Sequence, residues 1–193
     1  MSVALVVPVK SFTVAKGRLA GSLSPAERET LARNCATTVV RAAAPWSVYV
    51  VCESDDISSW AVEVGAHPVR ATGTGLNEAI ADGVRAVRAG GFSHVVVAHG
   101  DLPLAHSFAH LLLDDAVTIV PDRHRDGTNV LSFPARFEFP TSYGPGSFDA
   151  HCRTIQQRGW TLRVVDDPDL SLDLDTIDDL DELHRRTSVQ EHS

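Results

Sequence analysis

The chain has 193 residues, 44% hydrophobic and 22% charged, with a formal net charge of −8 and a sequence pI near 5.5. That length fits one domain able to fill its own core, and the acidic balance argues against nucleic acid as a bulk electrostatic partner. No apolar run reaches the 18 residues of a membrane span, and the short apolar start lacks the basic leader and small-residue cleavage site of a signal peptide.

Strand and helix signals then alternate. Residues 3–9 form an apolar run that reads as a buried first strand. Ser24 suits an N-cap, Pro25 a first turn, and Glu27 completes a Ser-x-x-Glu capping box, so a helix is predicted over 26–43. Residues 48–51 give a second strand. A short helix capped by Ser54 follows, carrying Ile57, Trp60, Ala61 and Val64 and stopped by Gly65. Residues 67–70 are a third strand. Gly73-Thr74-Gly75-Leu76-Asn77 then opens a helix that Gly90-Gly91 ends. Residues 94–98 are a fourth buried strand, emptying into Gly100-Asp101-Leu102-Pro103. A helix is predicted over 106–114, strands over 117–120 and 129–133, and a glycine-rich loop over 143–147. Another helix, a strand over 161–165 and a last helix from Thr176 close the domain, which is expected to span 1–187 with 188–193 as a frayed tail.

This alternation predicts an α/β fold: a single-domain three-layer sandwich with a mostly parallel sheet and helices on both faces. The ligand crevice of such a sheet lies beyond the carboxyl ends of its strands. The chain has only two lysines, Lys10 and Lys16, and both sit with Arg18 in the loop after the first strand; every other cationic side chain is arginine. Three cations at that mouth suggest an anion site, most plausibly for phosphate, although charge clusters are often plain solvated surface. Asp101 follows the fourth strand, where Gly100 allows a sharp turn and Pro103 stiffens the exit. An ordinary turn aspartate is the bland alternative.

Asp173 and Asp175 form an Asp-x-Asp that points to one face if the segment is extended. Two such carboxylates repel unless a cation lies between them, and Mg2+ is the natural choice with phosphate substrates. Asp175, with Asp178 and Asp179, equally suits the positive end of the last helix. His106 and His110 are four apart on a predicted helix, but without a Glu-containing motif they make a poor metal site. The cysteines, Cys35, Cys52 and Cys152, are scattered and odd in number, which fits reduced packing residues in the cytoplasm. The helix opened by Leu76-Asn77 offers free N–H groups and an amide to a nucleotide.

The ordered set Pro8-Val9-Lys10, Lys16-Gly17-Arg18-Leu19, residues 23–28 (Leu-Ser-Pro-Ala-Glu-Arg), Gly75-Leu76-Asn77, Gly100-Asp101-Leu102-Pro103, Asp122-Arg123 with residues 127–131, residues 143–148 and residues 172–176 resembles one family along nearly the whole chain. That family is the phosphoenolpyruvate / 2-phospho-L-lactate guanylyltransferases of coenzyme F-420 biosynthesis, within a nucleotidyltransferase group of nucleotide-diphospho-sugar transferase-like, Rossmann-like fold. The resemblance implies transfer of GMP from GTP to the phosphate of a small phosphorylated carboxylate, releasing pyrophosphate. It assigns Lys10, Lys16 and Arg18 to the cationic nucleotide loop, with Lys16, Arg18 and Asp101 as the catalytic set. Leu76 and Asn77 would lie near guanine and ribose. Asp101, Asp173 and Asp175 would bind Mg2+, and Thr128, Gly144 and Ser147 would hold the phosphocarboxylate. His99 and the charged run 122–127 depart from the expected pattern, and either Arg123 or Arg125 is a candidate for the substrate carboxylate.

A phosphate oxygen is already anionic at neutral pH, so the attack needs no general base. The obstacle is repulsion between anions, about 4 kcal/mol for unit charges 4 Å apart at an effective dielectric of ~20. A molybdenum-cofactor or sugar nucleotidyltransferase is the enzymatic rival; residues 8–11 lack its opening glycine pair. A non-catalytic nucleotide-binding module is the other, and three aspartates exceed what simple recognition needs.

Overall fold

The structure, a computed structural model, describes residues 1–190 and side chains through residue 188. A seven-stranded sheet runs in the order β3-β2-β1-β4-β6-β5-β7. Its strands are β1 (Val3–Pro8), β2 (Ser47–Cys52), β3 (His67–Arg70), β4 (His94–Ala98), β5 (Ala116–Pro121), β6 (Thr128–Pro134) and β7 (Thr161–Val164). All neighbours pair in parallel except those of β6, which is antiparallel to both β4 and β5. The helices are α1 (Pro25–Ala42), α2 (Asp55–Glu63), α3 (Leu76–Ala89), α4 (Ser147–Gln157) and α5 (Ile177–Gln190). The three-layer α/β expectation is met. Helix α5 carries the chain past residue 187; of the expected frayed tail, 191–193 lie outside the described residues. Among the described residues no helix is long and apolar enough to cross a membrane.

Alternation along β1 separates two cores. Val3, Leu5 and Val7 face a cluster that includes Ala36 and Val39 of α1 and Ile57 and Trp60 of α2. Ala4 and Val6 face the other, with Ile80, Val84 and Val87 of α3 and Phe148 and Ile155 of α4. A sheet covered on both faces requires continuous apolar strands, and β4 and β5 are buried throughout. Helix α3 lies close against the sheet at Gly83. A Cβ there would stand 2.7 Å from Val51 Cγ2 and closer still to Val6 Cγ1. The α1 start is the expected capping box, with Glu27 N–H donating to Ser24 Oγ and Ser24 N–H to Glu27 Oε2.

Two features of the middle chain position the site. Residues 122–127 are too few for a parallel crossover, so β5 and β6 form a hairpin whose turn projects from the carboxyl edge of the parallel strands. The first residues of β6 therefore sit beside the ends of the other strands. The helix expected over 106–114 is absent, replaced by one 3-10 turn at Ala109–Leu111. Leu102, Ala105, Phe108 and Leu111 recur every three residues and are all buried, a spacing that suits tight turns rather than an α-helix. His106 and His110 pair with Asp169 and Asp167, which leaves no shared metal face.

Candidate active site

Asp101, just past β4, meets Asp173 and Asp175 from the segment before α5. One carboxylate oxygen from each lies within 4.8 Å of the others. Local packing explains this: Leu172 and Leu174 are fully buried, so their alternating neighbours face the cleft, and Leu174 N–H donates to the Asp101 carbonyl. Asp175, open in sequence to a helix-start role, instead directs its carboxylate toward the cleft. Lys16 Nζ lies 2.8 Å from Asp101 Oδ2 and 3.5 Å from Asp175 Oδ1, with its side chain 5% exposed. Its backbone is left-handed, φ 58° and ψ 35°, a conformation costing a non-glycine residue about 1 kcal/mol. The loop carries that strain where the ammonium turns inward. Lys10 and Arg18 are exposed and hold no ion pair among the described residues.

The pKa directions follow this geometry. Burial would push the Asp101 carboxyl up, but the charge and hydrogen bond of Lys16 hold it below the ordinary value. Burial likewise works against the Lys16 ammonium, and the Asp101 charge and hydrogen bond outweigh it, so its pKa rises. Asp173 has no such cation. Burial and the neighbouring Asp101 charge push it up, opposed by a hydrogen bond from Asn129 Nδ2 at 3.2 Å.

The β5–β6 turn forms the next wall. Asp122 accepts from the N–H groups of His124, Asp126 and Gly127. Arg123 N–H donates to the Ser171 carbonyl and its guanidinium pairs with Asp179 at 2.7 Å. Asp179 Oδ2 in turn accepts from the N–H groups of Asp175 and Thr176 and the Thr176 hydroxyl. The Asp-x-Asp segment is thus clamped from both sides. Arg125 pairs with Asp166 and lies over Phe148, so both arginines considered for a substrate carboxylate already have partners. Asn129 and Asp179 were missed as site residues. The Thr-x-x-Asp spacing of 176–179 signals a helix cap, which is how Asp179 comes to hold Asp175; nothing local marks Asn129.

A cleft of about 390 Å³ brings Arg18, Leu76, Asp101, Gly144, Ser147, Asp173 and Asp175 together. A second, of about 290 Å³, joins Lys10, Lys16, Asp101 and Asp175. Two expected members turn away. The Asn77 amide donates to the Tyr143 carbonyl and accepts from the Tyr143 N–H, so it braces the glycine loop. The Thr128 side chain is buried 3.0 Å from His151 Nδ1. His151 Nε2 accepts from Ser142 N–H, which makes Nδ1 the protonated nitrogen and donor to Thr128. These two side chains shape the loop and do not line the cleft.

The carboxylates fit a divalent cation. Asp101 Oδ1 is buried without a hydrogen-bond partner, an arrangement that is costly unless a ligand completes it. Three carboxylates and one ammonium leave a formal charge of −2 at the centre, and oxygen-only donors suit Mg2+.

Comparison with known proteins shows the family and the fold. A family model described as "Guanylyl transferase CofC like" matches residues 3–190. A phosphoenolpyruvate guanylyltransferase of Rubrobacter xylanophilus is 36% identical over 199 residues, covering 98% of this chain and 97% of the relative. A 2-phospho-L-lactate guanylyltransferase of Methanothermobacter thermautotrophicus is 32% identical, covering 95% and 84%. A putative nucleotide-diphospho-sugar transferase from Desulfovibrio desulfuricans G20 superposes with a TM-score of 0.78 at 15% identity, over 96% of this chain and 88% of that one, a likeness of fold. The chain belongs to the CofC-like guanylyl transferase family.

Proposed function

We infer that this protein transfers GMP from GTP to the phosphate of phosphoenolpyruvate and releases pyrophosphate, a step in building a coenzyme of the F-420 type. The observation that carries this reading is the convergence of Asp101, Asp173, Asp175 and Lys16 at the strand ends of a chain in this family. Relatives named for phosphoenolpyruvate support the acceptor, with 36% identity in the Rubrobacter protein.

The acceptor's phosphate oxygen attacks the α-phosphorus of GTP as the bond to the bridging oxygen breaks and pyrophosphate leaves. The attacker is already charged, so alignment and charge neutralisation do the work and no protein base is needed. Lys10 and Arg18, exposed on the cleft walls, meet the incoming anions. Lys16 moves from its carboxylates toward the leaving phosphates once their charge arrives. Gly144 and Ser147 line the acceptor side. A Mg2+ ion held by Asp101, Asp173 and Asp175 would neutralise phosphate charge there.

The test is a panel of four nucleoside triphosphates against phosphoenolpyruvate, 2-phospho-L-lactate and 3-phosphoglycerate, read by adduct mass and pyrophosphate. The expected dominant product is the guanylyl adduct of phosphoenolpyruvate. A dominant adduct with another acceptor would displace that assignment, and no adduct in any well would defeat the transfer reading.

A further inference from the structure

A third cleft, of about 330 Å³, opens between the ends of β1 and β2 and the start of α3. Pro8, Val9 and Lys10 form one wall and also line the cleft that holds Lys16 and Asp101. Leu76 forms another wall and also lines the cleft of Gly144 and Ser147. The three spaces therefore adjoin. The third is mostly apolar, and its only ionisable walls besides Cys52 are Lys10 and Glu53.

The cleft is held open by fixed parts. Val9 N–H donates to the Val51 carbonyl and Ala71 N–H to the Cys52 carbonyl, extending the sheet ladder beyond the strands. Buried Asp82 takes the Thr72 N–H and hydroxyl, and Glu78 takes the Thr74 N–H. Leu76 remains 39% exposed at the mouth. Glu53 stands exposed on the rim as its one carboxylate, with no hydrogen bond or ion pair among the described residues, opposite the equally unpaired Lys10.

We propose that Glu53 determines base choice, its carboxylate accepting from the N1–H and 2-amino group of a guanine seated in this cleft. The proposal rests on the GMP-transfer reading for its ligand. A carboxylate has two acceptor oxygens, and guanine presents two adjacent donors to match them. Adenine offers an N1 acceptor there and no 2-amino group. Uracil and cytosine lack the adjacent pair of donors. An isosteric amide inverts the match: it accepts from N1–H but its NH2 opposes the 2-amino group, while xanthine supplies a carbonyl at that place.

The experiment compares the wild type with Glu53→Gln and Glu53→Ala, using GTP, ITP, XTP and ATP. Nucleotide affinity is measured by calorimetry without acceptor, and pyrophosphate release is measured with phosphoenolpyruvate. The wild type is expected to rank GTP first. Glu53→Gln should lose roughly tenfold or more for GTP and gain for XTP, and Glu53→Ala should flatten the ranking. Because Glu53 is exposed and makes no hydrogen bond or ion pair among the described residues, both variants should unfold at the wild-type temperature. The inverted ranking in affinity, even where no pyrophosphate appears, would support Glu53 and count against transfer. An unchanged ranking in both variants would overturn the assignment while leaving GMP transfer standing.

Discussion

Replacing Lys16 by Met tests the centre of the site without changing its bulk. At an effective dielectric of ~20, unit charges 2.8 Å apart attract by about 6 kcal/mol. Removing one partner of a buried pair costs about 3–5 kcal/mol, since the other charge stays behind. Asp101 is 24% exposed and Asp175 49%, so solvent screening puts the loss near the lower figure, about 3 kcal/mol. For a chain of this size each kcal/mol moves Tm by about 2–4 °C. In chelator, Lys16→Met should therefore unfold roughly 6–12 °C below the wild type by differential scanning calorimetry. Divalent ions should then bind the variant more tightly, about tenfold or more, because the ammonium no longer competes for the same oxygens. Titration with Mn2+ followed by electron paramagnetic resonance reads that affinity directly. The apparent GTP requirement should rise. Equal melting in chelator together with equal Mn2+ affinity would refute the reasoning, because Lys16 would then be neither counter-charge nor competitor.

Asn77→Ala removes two hydrogen bonds to the Tyr143 backbone, a loss of about 1–3 kcal/mol. Loosening the 143–147 loop should raise KM for the phosphocarboxylate several-fold and leave KM for GTP nearly unchanged; a selective rise for GTP would instead support the nucleotide role expected for Asn77. Acid should act through two buried histidines. Burial lowers His94 and His151 to about 4, so each is neutral in the fold and takes up a proton on unfolding below its ordinary 6.5. Their contribution is complete above pH 6.5 and is lost as pH falls toward 4, at about 2–3 kcal/mol each by pH 4.5. Denaturant unfolding at pH 7.0 and 4.5 should show that loss, smaller in His94→Gln. A flat profile in the wild type would contradict it. Asp82 and Asp179, whose values are lowered because hydrogen bonds and nearby arginines outweigh burial, lose their contribution only below the ordinary carboxylate range.

Much of this molecule can be read locally. The Ser24–Glu27 box, the apolar run of β4 and the Gly100–Pro103 turn each carry their own reason, and they place Asp101 at a strand end. What escaped the sequence is non-local. Residues 117–120 and 129–133 look like buried strands whichever way they run; only the shortness of the turn between them signals a hairpin. The helix expected over 106–114 is ruled out by the three-residue spacing of Leu102, Ala105, Phe108 and Leu111, all buried. Asn77 finds its partner 66 residues away, and Thr128 finds His151 after 23. No local pattern distinguishes a side chain aimed at a ligand from one aimed at a loop.

The most direct measurement is turnover with GTP, phosphoenolpyruvate and titrated Mg2+ for the wild type, Asp101→Asn and Asp173→Asn, with circular dichroism confirming the fold. Both amides keep the shape and remove one charge from the carboxylate group. Turnover should require Mg2+ in the wild type and fall by about 100-fold or more in each variant, a loss of about 2.7 kcal/mol in transition-state stabilisation. Folded variants that turn over near the wild-type rate at the same Mg2+ concentration would contradict a site built on these carboxylates.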